Sequence, residues 1–86
     1  MKQEFDALLE KLKAERDEMQ LKMHLASMEV KEEFSEAEEK WDVVKRKANE
    51  IADDSIETTD DFIAAAKVVG EELKEAYQRI AKRIKD

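Results

Sequence analysis

The sequence has no cysteine, no proline and a single glycine, Gly70, among its 86 residues. Without cysteine there can be no disulfide, thiolate zinc site or iron–sulfur cluster, and nothing ties the chain to an oxidising compartment. Without proline, and with one glycine, there is little from which to build hairpin turns, phosphate-cradling loops or a nucleophile elbow. Aromatic residues make up only 6% of the chain. No apolar run has the length of a signal peptide or a membrane span, so stable membrane insertion is not expected.

What fills the chain is charge: 45% of residues are charged and 42% hydrophobic, and 23 acidic against 16 basic residues give a net charge of −7. An acidic surface disfavours a phosphate backbone or an anionic bilayer as the main partner. No nucleic-acid partner is expected, and the default location is cytoplasmic. A chain this short makes one domain at most, with a modest core, and such chains often gain stability by oligomerising. A regular apolar stripe separates this sequence from disordered chains of similar charge. The expected fold class is all-α.

The stripe begins at Phe5 and steps alternately by four and three through Leu9, Leu12, Arg16, Met19, Met23, Ala26 and Val30. That is the 3.5-residue seam of a coiled coil. After Val30 it skips to Phe34 and resumes through Ala37, Trp41, Val44, Ala48 and Ile51. Two successive steps of four mark a stutter, which locally unwinds a supercoil. Good helix formers dominate throughout. The seam therefore predicts one helix over about residues 3–52, roughly 75 Å long.

A turn is expected at about residues 53–58, where short polar side chains compete with the helical backbone for hydrogen bonds. Thr58 or Thr59 is the expected N-cap, and Thr58 with Asp61 resembles a weak capping box. A second helix over about 59–84 follows through Phe62, Ala66, Val69, Leu73, Ala76, Ile80 and Ile84. Gly70 costs this helix about 1 kcal/mol relative to alanine, and close approach of a neighbouring helix is the favoured reason for it.

The second helix, near 40 Å, covers only half of the first. The remaining seam needs shelter, because an isolated amphipathic helix gains little stability from propensity. We therefore expect an antiparallel homodimer, a rod-like helical bundle with three helices in every cross-section and its two-fold axis near Ala26. Its interface would hold Phe5, Leu9, Leu12, Arg16, Met19, Met23, Ala26 and Val30. Apolar residues going most of the way round between Met19 and Val30, with Leu21, Leu25 and Met28 among them, support that axis. Folding the hairpin brings Arg79, Lys82 and Arg83 beside Glu29, Glu32, Glu33 and Glu36. The competing fold is a compact three-helix bundle, monomeric and protein-binding, that breaks at Ala26-Ser27-Met28-Glu29. No glycine or proline marks that break.

Chemistry-bearing patterns are weak. His24, the only histidine, lacks the Glu three residues earlier that di-iron bundles use, since Leu21 stands there. Met19, Met23 and His24 are the sole metal candidates, because thioethers suit copper(I), but methionine more often fills gaps in helix interfaces. A carrier of a metal or small ligand in the bundle interior there is the alternative function. The carboxylates read as solvated faces, and no serine has a base at a usable spacing. No catalytic residue and no cofactor is expected, and the chain is read as not an enzyme. Trp41 and Tyr77 read as core residues, while Ile63, Val68 and Val43 lie off the seam.

The tail Glu72-Leu73-Lys74-Glu75-Ala76-Tyr77 followed by Ala81-Lys82-Arg83-Ile84, after a long charged helix, resembles that of small, highly charged bacterial coiled-coil proteins of unknown function. The overall plan is similar over nearly the whole chain, with Gly70 and Thr59 standing where that pattern has aromatics. The resemblance implies a helical hairpin from a bacterium and carries no activity, cofactor or site residue. The leading expectation is a non-enzymatic self-associating coiled-coil protein, a structural or protein–protein interaction module with a possible further protein partner.

Overall fold

The computed structural model describes residues 2–53, 55 and 57–85, and among them every regular element is helical. Helix α1 runs Lys2–Lys22, α2 runs Met28–Ala52 and α3 runs Asp60–Lys85, with a short 3-10 turn at Met23–Leu25 between the first two. Residues 3–52 thus do not form the single helix that the seam predicts.

The break has a local cause. Ser27 takes extended backbone angles, φ −68° and ψ 165°, and its Oγ accepts from the Val30 amide at 3.3 Å. It is therefore a true N-cap, satisfying one of the amides that the first turn of α2 leaves free. Glu29 adds negative charge at the positive end of that helix. On the other side, Ala26 is extended and its amide donates to the Met23 carbonyl at 3.1 Å, while His24 Nδ1 donates to the Leu21 carbonyl at 2.9 Å.

The second turn is closed by Asp53, whose carboxylate accepts from both the amide and the hydroxyl of Ser55, at 2.9 and 2.7 Å. Those bonds hold the Asp53 carboxyl below its ordinary range, the hydroxyl contributing most. Asp54 and Ile56, also assigned to this turn from the sequence, lie outside the described residues. Of the two candidate caps it is Thr59 that acts: its Oγ1 accepts from the Phe62 amide at 3.2 Å.

The three helices stand side by side in a bundle about 44 × 17 × 17 Å. Arg83 pairs with Glu29 and Glu33, so α3 runs antiparallel to α2. Lys67 pairs with Glu4 at 2.8 Å near the start of α1, so α3 runs parallel to α1. Helix α3 packs closely along both neighbours, whereas the backbones of α1 and α2 come near each other at few positions.

One continuous core results: Phe5, Leu8, Leu12 and Met19 from α1, Val30, Phe34, Ala37, Trp41, Val44 and Ile51 from α2, and Ile63, Ala66, Leu73, Tyr77 and Ile80 from α3. The N-terminal seam is therefore covered within one chain. Leu9, Met23 and Ala26, assigned to a dimer interface from the sequence, pack at the edge of this core, and Phe5, Leu12, Met19 and Val30 are inside it. Leu8, off the predicted seam, is buried against α3. At Gly70 a Cβ would lie 2.8 Å from Leu8 Cδ2, so its missing side chain lets the two helices approach.

Candidate functional site

The breaking of the long helix leaves an apolar corner. Leu21 is 77% exposed, Leu25 69% and Met28 83%, all within eight residues of one another at the α1–α2 junction. Single exposed apolar residues are ordinary on protein surfaces; what sets these three apart is that they fall within one short stretch of chain, at the junction of two helices. The same residues are the ones that the sequence shows going round the helix. Val68, 58% exposed, lies elsewhere, on α3; Ile63 is buried and Val43 half-buried, so these three off-seam residues do not share a patch.

The weak metal candidates stand in three different environments. Met19 is buried against the core, Met23 is half-buried at its edge, and His24 is exposed with Nδ1 committed to the Leu21 carbonyl. Among the described residues no group of three or more His, Asp or Glu side chains is arranged to hold a metal ion.

Arg16, expected at a subunit interface, instead binds Glu38 of α2 with both nitrogens of its fork, at 2.7 Å through Nε and 2.8 Å through Nη2. Its guanidinium also lies 5.8 Å from the centre of the Trp41 ring. Planar bidentate pairing with stacking is what arginine does better than lysine. The hydrogen bond to the Glu38 carboxylate raises the Arg16 pKa above its ordinary value. A position in an apolar seam occupied by arginine is the signal for such a cross-helix clamp, although the partner is not readable from spacing.

Beneath the clamp is Tyr77, wholly buried, its ring 6.4 Å from that of Phe34. Among the described residues its hydroxyl has no hydrogen-bond partner, and neither has the buried Oε2 of Glu15. Burial pushes the phenol pKa up, the charge of Glu38 adds to this and Arg16 opposes it. Sequence reasoning places Tyr77 in the core but misses Glu15, which looks like one more solvated carboxylate.

No helix is long and apolar enough to cross a membrane among the described residues. In comparisons with known proteins, no protein family, curated protein or solved structure matches this chain.

Proposed function

We propose that this chain is a non-enzymatic, self-associating helical module, a structural or protein–protein interaction element whose contact surface is the α1–α2 corner. The observation that carries the reading is the exposure of Leu21, Leu25 and Met28 beside a hinge across which the apolar seam continues. Self-association proceeds by exchange of α1 between two copies. When the hinge straightens, α1 and α2 join into one long helix, and α1 lies against α2 and α3 of the second copy. Every contact α1 makes in the compact chain is then remade between chains, which is why arm exchange is a low-cost route to dimers.

What differs between the two forms is the hinge itself. The compact form keeps the Ser27 cap. The exchanged form gains the intrahelical hydrogen bonds of residues 23–27 and covers the corner at its two-fold axis, where full burial of a leucine or methionine contributes about 1.5–3 kcal/mol. Nothing in residues 23–27 forbids a helix, since they contain neither glycine nor proline.

Two hinge substitutions separate the forms. Ser27→Ala removes a cap worth about 0.5–2 kcal/mol per chain and favours the straight helix, so it should tighten dimerisation by about tenfold or more. Met28→Pro suits the first turn of α2, where the preceding residue is already extended, but breaks a continuous helix. Light scattering across a concentration series should show a dimer forming in the parent, more in Ser27→Ala and none in Met28→Pro. A parent and a Ser27→Ala variant that both stay monomeric at high micromolar concentration would sink the proposal.

A further inference from the structure

Helix α1 is attached to the bundle differently from the other two helices. A turn closed by Asp53 and Thr59 joins α2 to α3, Lys47 Nζ lies 5.0 Å from the centre of the Phe62 ring, and Arg83 sits between Glu29 and Glu33. By contrast α1 comes near the backbone of α2 at few positions, and among the described residues its polar ties to the rest are the Arg16–Glu38 clamp and the exposed pair of Glu4 with Lys67. An exposed pair of that kind adds little. The rest of its hold is apolar, through Phe5, Leu8, Leu12 and Met19. The α1–α3 contact also carries a penalty. Among the described residues, Glu15 Oε2 of α1 and the Tyr77 hydroxyl of α3 are buried without a hydrogen-bond partner, and both residues line the cleft between the C-terminal halves of those helices. Withdrawing α1 returns both atoms to water and recovers what leaving them dry costs. No buried side-chain atom of α2 is left in that state among the described residues.

From these observations we infer that α1 is a strap that opens as a unit about residues 23–27 while the α2–α3 hairpin stays folded. Proteins open in such cooperative units at free energies between local fraying and global unfolding. The hinge permits it, because the 3-10 turn at Met23–Leu25 and the extended Ala26 and Ser27 already end α1, and the Ser27 cap belongs to α2 and stays with it. The α3 cap at Thr59 likewise lies outside the part that moves. The opening is a property of the single chain. What it serves rests on the self-association proposed above: the face uncovered, which carries Trp41, Gly70 and Tyr77, is the one that α1 of a second copy covers in the exchanged dimer. Exchange then proceeds without unfolding the whole chain.

The test is native-state amide hydrogen exchange on the full chain, at a concentration where light scattering gives a monomer and over a series of low denaturant concentrations. The amides of Leu8, Leu12 and Met19 should be about tenfold or more less protected than those of Val44 and Leu73. Their opening should also depend on denaturant less steeply than global unfolding, because the surface between α2 and α3 stays buried. Thr59→Ala separates the two units. Its cap is present in the opened chain and absent only from the unfolded one, so losing it should lower the protection of Val44 and Leu73 about fivefold and leave that of Leu12 and Met19 unchanged. One protection and one denaturant slope shared by all three helices, or an equal loss in the α1 amides with Thr59→Ala, would overturn the inference. A strap that opens in a chain that never dimerises upholds it and removes the exchange alone, so the two failures are distinguishable.

Discussion

Gly70 on α3 and Leu8 on α1 face each other so closely that the first carbon of any side chain at position 70 would come within 2.8 Å of a Leu8 methyl and 3.6 Å of Leu12. The parallel contact between α1 and α3 therefore rests on an absent atom. Gly70→Leu should drive α1 outward and destabilise the bundle by about 1–3 kcal/mol, measured as a lower denaturant midpoint. Gly70→Ala asks only that one Leu8 methyl rotate away, and it gains about 1 kcal/mol of helix propensity, so its effect should be much smaller. Equal losses from both substitutions would refute this account of the contact.

Arg16 and Glu38 should show measurable coupling in a double-mutant cycle with Arg16→Met and Glu38→Gln. Both side chains are less than a third exposed and the geometry is bidentate, so about 1 kcal/mol is expected, above the usual surface pair. A coupling indistinguishable from zero would reduce the clamp to an incidental contact.

The exposed pair Glu4 and Lys67 makes a directional prediction. The hydrogen bond from Lys67 holds the Glu4 carboxyl below its ordinary value, and Glu4 in turn raises the Lys67 ammonium. The contribution of Glu4 is thus present above its unfolded-state pKa and lost as pH falls through the lower folded value. That of Lys67 is present below its unfolded-state pKa and lost as pH rises through the higher folded one. Carboxyl titration by NMR should find Glu4 moving upward in Lys67→Gln; an unmoved Glu4 would show that the contact is not populated in solution.

Tyr77 governs the alkaline limit. Its buried phenol keeps its proton to higher pH than the unfolded chain does, so stability should fall as pH rises beyond about 10, the ordinary tyrosine value. Phenolate absorbance and loss of helicity should rise together, and Tyr77→Phe should move the alkaline unfolding midpoint upward. Phenolate appearing while the helices remain intact would contradict the burial.

Much of the helical content was legible because apolar spacing reports it directly: Phe34, Ala37, Trp41, Val44 and Ile51 on α2 and Ala66, Leu73, Ala76 and Ile80 on α3 are buried on the faces that spacing predicts, whereas Ile63, off that seam, is buried and Phe62, on it, only partly so. The hinge is not legible in the sequence for an identifiable reason. Glycine and proline are the usual marks of a break, whereas Ser27 caps the new helix by offering an oxygen to Val30, and a serine among helix formers carries little weight by composition. The continuous phase from Met19 to Val30 hid the break further, since a seam that stays in register looks the same whether the helix continues or folds back. Spacing places Tyr77 in the core, but nothing in sequence tells that Glu15, among so many carboxylates, turns one oxygen inward.

The parallel course of α1 and α3 puts Lys2 and Ile84 at opposite poles of a bundle about 44 Å long. A load applied between those two points would be borne along the helix axes, as sliding of one packed face past another, with the Gly70 notch and the Arg16 clamp resisting together. Such a body yields abruptly under tension, where one whose ends sat side by side would unzip one contact at a time.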